Sequence, residues 1–235
     1  VQPHDVPGQK IGQYLPADPV LREMTERSYR ILAAHPLNQE RKAKGLHPGN
    51  CCWFWGAGTR PALCSFEEKT GKKGMMVSAV DLLKGIAVGA GMGVAHVEGA
   101  TGGLDTNYAG KVEAAVNALF GEGYDFAYIH LEASDEMAHQ GSVEKKLKAI
   151  ENVDRKVVGP LVEKLEASGE DFRLMVLPDH PTPIRLRTHT SDSVPYMLYD
   201  SRKRQDHGWV YHEEEARRTG IFVPEGHRLI ERLFA

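Results

Sequence analysis

The stretch that decides the fold is Tyr124–Leu131, YDFAYIHL, together with the ten residues that follow it, EASDEMAHQG (132–141). The first eight, Asp125 and His130 apart, are aromatic or aliphatic and predict a strand. The next ten are acidic and helix-compatible. If a helical turn begins near Ser134, Asp135 and His139 stand at i and i+4 on one face. A strand that runs straight into a helix is half of a β-α-β unit. The same alternation continues in both directions.

Upstream, Gly110–Leu119 (GKVEAAVNAL) has helical spacing, Gly93–Val97 and Met75–Val77 are short apolar strands, and Ala79–Val88 (AVDLLKGIAV) is a helix between them. Downstream, Val143–Ala167 predicts a long helix bent near Gly159-Pro160. Phe172–Leu177 (FRLMVL) and Val194–Tyr199 (VPYMLY) predict two more strands, and HRLIERLF (227–234) a closing apolar helix. The alternation predicts an α/β fold, a mostly parallel sheet with helices on both faces, over residues 75–235. Residues 1–74 read as a separate, smaller part. Its first 25 residues are irregular in composition, apart from a helix expected over Val20–Ala34 after Asp18-Pro19. A polar, basic stretch (Asn38–Gly49) and a short apolar run, Cys51–Trp55, expected to be a strand, complete it.

Composition excludes several classes. The 235 residues carry 29 Lys plus Arg against 32 Asp plus Glu, a net charge of −3, which gives no footprint for nonspecific nucleic-acid binding. Hydrophobic residues make up 41%, which is enough to build a core. No apolar run approaches the roughly 20 residues of a membrane helix, so no membrane partner is expected. Cys51, Cys52 and Cys64 are odd in number, two are adjacent, and no CxxC occurs. That pattern argues against a disulfide framework or a cysteine zinc site and predicts reduced thiols in the cytoplasm. The opening VQPHDVPGQK has no apolar signal core, and the chain reads as part of a longer protein.

Candidate chemistry gathers behind the strands. Asp135 and His139 follow one, Asp179 and His180 follow another, and His189 comes one loop later. In open parallel sheets, ligands bind at the carboxyl ends of strands. Each element alone has a plain structural reading. An exposed i, i+4 Asp–His pair is an ion pair of about 0.3–0.5 kcal/mol. Asp179-His180 between prolines is a turn, and His189 alone carries no pattern. Together the three elements point to a metal site, and mixed oxygen and nitrogen donors suit Mn or Zn. His130, inside a strand, reads as a core or supporting residue, and the glycines of Gly56–Gly58 and Ala100–Gly103 read as turns.

The segments HLEASDEMAHQG (130–141), LPDHPTPIRLRTHTSDSVPYMLY (177–199), GATGGLDTNYAGK (99–111), SAVDLLKGI (78–86), HPLNQERKAKG (35–45) and CWFWGAG (52–58) resemble cofactor-independent phosphoglycerate mutase of the archaeal type, in the alkaline phosphatase superfamily. The resemblance implies an alkaline-phosphatase-like core, incomplete in this chain, with residues 1–74 forming part of a smaller α+β inserted lobe. It implies interconversion of 3-phosphoglycerate and 2-phosphoglycerate through a phosphoenzyme, with two divalent ions (Mn or Zn) and no 2,3-bisphosphoglycerate. One ion would be held by Asp135, His139 and His189. The other would be held by Asp179 and His180, with an Asp and a nucleophilic Ser or Thr from the family's N-terminal part. Lys73 would lie by the transferred phosphate, and Arg60 and Arg41 would supply substrate-binding charge.

By the same resemblance the chain's partners are phosphoglycerate and that N-terminal part. Without the nucleophile the 235 residues alone are expected to be inactive, and exposed sheet edges are expected to favour oligomers. Ser134 replaces a customary Pro, and Ser193 stands where the family has Pro, neither of which removes a ligand. Two alternatives stand beside this reading. One is another metal-dependent phosphatase or phosphomutase of the superfamily, and the other a noncatalytic fragment with a residual metal site. HPLNQERKAKG and WFWGAG favour the mutase.

Overall fold

The computed structural model describes residues 1–235 apart from 4, 5, 7, 57, 60 and 206. The chain divides into two compact units, Val1–Arg60 and Pro61–Ala235. Residues 61–74, which the sequence pattern grouped with the first part, pack within the second unit, where Phe66 stacks on Phe126 at 5.3 Å.

In the first unit, Asp18 caps helix α1 (Pro19–Ala34) by accepting from Leu21 N–H at 2.9 Å, and Pro19 occupies the first turn. A second helix, α2 (Pro36–Ala43), overlaps the polar, basic stretch Asn38–Gly49, for which the sequence pattern gave no helix. Its residues PLNQERKA carry no apolar stripe, so periodicity could not reveal it. Local chemistry makes it instead: Pro36 starts the helix, and His35 Nδ1 accepts from Leu37 N–H. Cys51–Trp55 is not a strand. Cys52 N–H donates to Ser28 Oγ and Trp53 Nε1 to the carbonyl of Val1, so side chains rather than a ladder hold this run.

The second unit opens with the short helix α3 (Phe66–Thr70) and then builds a parallel sheet in the order β2-β1-β3, from β1 (Gly74–Val77), β2 (Gly93–Val94) and β3 (Phe126–Ile129). Helix α4 (Asp81–Gly89) connects β1 to β2, and α5 (Tyr108–Phe120), capped by Asn107, connects β2 to β3. All four residues of β1 are buried, so both faces of the central strand are covered. Met75 and Val77 meet Ala115 and Ala118 of α5 on one face. On the other, Gly74 abuts Phe66, and Phe126 is edge-on to Phe234 at 5.5 Å. The far side of α5 presents Tyr108 and Val112 to Val157, Leu161 and Leu165. Each such aliphatic side chain contributes about 1.5–3 kcal/mol on burial.

Behind β3 come α6 (Ala133–His139) and α7 (Val143–Val153), then one π-helical turn over Asp154–Val158 and α8 (Gly159–Ser168). The expected break in the long helix is this turn. Pro160 cannot donate to the preceding helical turn, and the wider turn absorbs the defect. The last two strands, β4 (Arg173–Val176) and β5 (Met197–Asp200), pair antiparallel as a separate ribbon beside the parallel sheet. Arg173 Nε donates to Asp200 across that pair at 2.8 Å. Helices α9 (Glu213–Arg218) and α10 (Leu229–Phe234) close the chain. Among the described residues no helix is long and apolar enough to cross a membrane.

Candidate metal centre

The carboxyl ends of β1 and β3 are tied together before any functional side chain is placed. His130 N–H donates to the carbonyl of Val77 at 2.9 Å, extending the ladder by one step. Ser78 Oγ accepts from Val80 N–H and lies 3.2 Å from His130 Nδ1. Lys111 of α5, with 1% of its surface exposed, donates to the His130 carbonyl at 3.1 Å. Burial pushes the Lys111 ammonium below its usual range, against the pull of the Glu132 carboxylate. Glu132 moves the opposite way: burial raises it, and Glu136 and Asp135 raise it further. Burial also lowers the His130 imidazole, opposed by the charge of Asp179.

Helix α6 starts at Ala133 and carries Asp135 in its first turn, where the helix N-terminus favours a carboxylate. One turn on, His139 Nε2 faces Asp135 Oδ2 at 3.2 Å, as the i, i+4 spacing predicts. The loop after β4 brings the remaining groups. It is closed by its own backbone: Leu186 and Arg187 N–H donate to the Pro183 carbonyl, and Thr190 N–H to that of Pro181. This closure delivers His189 Nε2 to 3.4 Å from Asp135 Oδ1 and 3.1 Å from His139 Nε2. The His180 ring lies against the His189 ring, centroids 3.8 Å apart. Ligand atoms of Asp135, His180 and His189 all fall within 4.8 Å of one another.

These contacts fit a divalent cation. Four ligands about 2.0–2.1 Å from one ion stand roughly 3.3 Å apart. The contacts here are of that order, 3.1 Å between the His139 and His189 Nε2 atoms, 3.2 Å from His139 to Asp135 Oδ2 and 3.4 Å from His189 to Asp135 Oδ1, so the carboxylate meets the two rings through different oxygens. Two imidazole nitrogens and a carboxylate are also the donor types that Zn and Mn accept. Two supports were not read from sequence. Thr182, 5% exposed, donates its hydroxyl to Asp135 Oδ1, while its carbonyl accepts from Lys146 Nζ of α7 at 2.8 Å. The carbonyl of Arg187 lies 2.8 Å from His139 Nδ1. A buried Thr two residues past an Asp-His pair was the available signal for the first. A backbone carbonyl leaves none.

The other expected residues are placed as follows. Asp179, its side chain 68% exposed, pairs with His180 Nε2 at 3.2 Å and accepts from the His180 N–H. Lys73 is not brought into the cluster. It precedes β1 at the opposite end of the strand, exposed, with its N–H donating to Asp125 Oδ2. Arg41, in the first unit, donates Nε to the His47 carbonyl and lines a cleft with His35 and Asn38. Arg60 lies outside the described residues.

Comparison with known proteins places the chain in a family named for metal chemistry. A family model described as the metalloenzyme superfamily matches residues 18–230. The 2,3-bisphosphoglycerate-independent phosphoglycerate mutase of Methanothrix thermoacetophila is 47% identical, the match covering 99% of this chain and 60% of that protein. A probable enzyme of the same name from Geobacter sulfurreducens is 46% identical, over 98% of this chain and 58% of its own length. The solved structure of the PH0037 protein from Pyrococcus horikoshii superposes with a TM-score of 0.68 at 32% identity, over 85% of this chain and 51% of that one. The chain thus spans about three-fifths of the length of these curated relatives.

Proposed function

This chain belongs to the metalloenzyme superfamily, and from that premise we propose that its strand-end cluster is the metal-binding part of an enzyme that interconverts 3-phosphoglycerate and 2-phosphoglycerate. The observation that carries the reading is the convergence of Asp135, His139 and His189 within 3.1–3.4 Å, with His180 alongside. Relatives 46–47% identical bear the name of that reaction.

Asp135, His139 and His189 would hold one divalent ion, Mn or Zn, and Asp179 with His180 would contribute to a second. Such an ion polarises phosphoryl oxygens and makes a hydroxyl a better nucleophile at neutral pH. The chain's own residues prepare the site. Thr182 fixes the Asp135 carboxylate through its hydroxyl. Lys111, held in the core, offsets the acidic surroundings of Glu132 and steadies the turn after β3. Arg41 is proposed to meet the substrate's anionic groups, beside His35. The three cysteines are free thiols, which fits a reducing compartment and a cytoplasmic enzyme.

Turnover is assigned to a protein of the relatives' full length, and the 235 residues alone are expected to bind metal without mutase activity. The test is a coupled assay of 2-phosphoglycerate formation by the longer protein, with and without Asp135→Asn. We expect a loss of at least about a thousandfold in kcat/KM, the scale on which groups acting as one catalytic unit fail when one is removed. Hydrolysis of phosphate monoesters with no isomerisation would overturn the mutase reading in favour of a related phosphatase.

A further inference from the structure

We infer that Arg187 is a positioning residue for the metal centre, its left-handed backbone presenting the carbonyl that sets His139 to coordinate through Nε2. The inference rests on the metal-binding reading above. A carbonyl oxygen only accepts, so the 2.8 Å contact between Arg187 O and His139 Nδ1 requires the proton on Nδ1. A neutral imidazole with that proton has its lone pair on Nε2. Nε2 is the atom that faces Asp135 at 3.2 Å and His189 at 3.1 Å.

The backbone that supplies this carbonyl is unusual. Arg187 has φ 56° and is the one residue other than glycine with positive φ among the described residues. That conformation costs about 1–2 kcal/mol for a residue with a Cβ, and it persists where the surroundings over-determine it. Two features do so here. The Arg187 N–H is held by the Pro183 carbonyl at 2.9 Å. Its guanidinium lies in the bay left by Gly141, where a Cβ would stand 2.5 Å from Nε and 2.7 Å from Cζ. Gly141 is itself left-handed, at φ 72°, and stands two residues after His139 at the end of α6. The end of the helix that carries His139 and the loop that orients its ring therefore also meet at this contact.

The test uses the 235-residue chain with Zn2+ as the probe. Zn2+ affinity is measured by calorimetry, and the His139 ring tautomer by long-range proton–nitrogen NMR without metal. Arg187→Gly adopts positive φ freely and should retain the Nδ1–H tautomer and an affinity within about threefold of wild type. Arg187→Pro forbids positive φ and should lose the single tautomer and about ten- to a hundredfold in affinity. If circular dichroism shows that the proline variant does not fold, Arg187→Val, whose β-branch also resists this conformation, takes its place. Zn2+ uptake by the wild type that the folded backbone-resisting variant leaves unchanged, with the tautomer intact, overturns the inference alone. A wild type with the Nδ1–H tautomer that takes up no Zn2+, or takes it up equally as His139→Ala, overturns the metal reading and the inference with it.

Discussion

The two ends of strands β1 and β3 are built from similar residue types and put them to different uses. At the amino end, Lys73 and Asp125 spend their polar groups on each other's backbone. Lys73 N–H donates to the Asp125 carboxylate, and the Lys73 carbonyl accepts from Asp125 and Phe126 N–H at 2.9 and 3.1 Å. The side chain of Lys73 stays in water. At the carboxyl end Lys111 is buried and His130 and Glu132 half-buried, and their proton affinities move. His130 and Lys111 are pushed down by burial, and Glu132 is pushed up. Charge alone does not mark a site. Parallel strands aim their following helices and loops at one crevice, and burial shifts the proton affinities of the groups beside it.

Removing the hub of the carboxyl end should have the largest effect. Asp135 is touched by His139, His189 and Thr182, so Asp135→Ala deletes the anion on which three partners converge. Elemental analysis after incubation with Mn or Zn should show about one ion per chain in the wild type and none in the variant. Equal metal content in both would break the distinction between the two ends. Thr182→Val should act more mildly through the same carboxylate. We expect metal binding about ten- to a hundredfold weaker, as for other residues that orient a ligand. Loss of this hydrogen bond to a half-buried carboxylate should also cost about 0.5–1.5 kcal/mol of stability in urea. Unchanged affinity would mean that the hydroxyl serves only the loop.

The carboxyl-end cluster was more legible in the sequence than the scaffold around it, for physical reasons. Asp135 and His139 could be paired because a helix fixes the i, i+4 relation locally. Their meeting with His189, fifty residues on, could not be read from spacing. It depends on the Pro181 and Pro183 carbonyls folding the loop back on itself. The central strands were recognisable from apolar runs, yet the antiparallel pairing of β4 with β5 was not, because a strand's sequence does not state its partner's direction. Cys51–Trp55 looked like a strand by composition and is held by Ser28 and Val1 instead. Helix α2 hid behind a polar surface. Lys73, which the family resemblance set beside the transferred phosphate, precedes β1 at the strand's other end.

A smaller effect would sharpen the contrast through pH. Burial holds the His130 imidazole below its ordinary 6.5. The unfolded chain therefore binds more protons than the folded one between that lowered value and 6.5. Stability should then rise with pH across this window and be lost as pH falls through it. His130→Gln should flatten that acid-side slope, read as the difference in urea midpoint between pH 5.5 and 7.5 for the two proteins. An identical slope in both would mean that burial at this position does not govern its protonation.

The smallest expected effect is at the amino end, and it is informative because it should be close to nothing. Both hydrogen bonds of Lys73 to Asp125 run through its backbone, so Lys73→Ala leaves them in place. The exposed ammonium adds little to stability, and the change should lie within about 0.5 kcal/mol. Metal affinity should match the wild type, since β1 separates this residue from Asp135 and its partners. A Lys73→Ala chain that lost metal or a full-length Lys73→Ala enzyme that lost turnover would show that the amino end reaches the chemistry by a route other than the β1–β3 crevice. The contrast between the two ends would then have to be redrawn around the side chain of Lys73 rather than around burial.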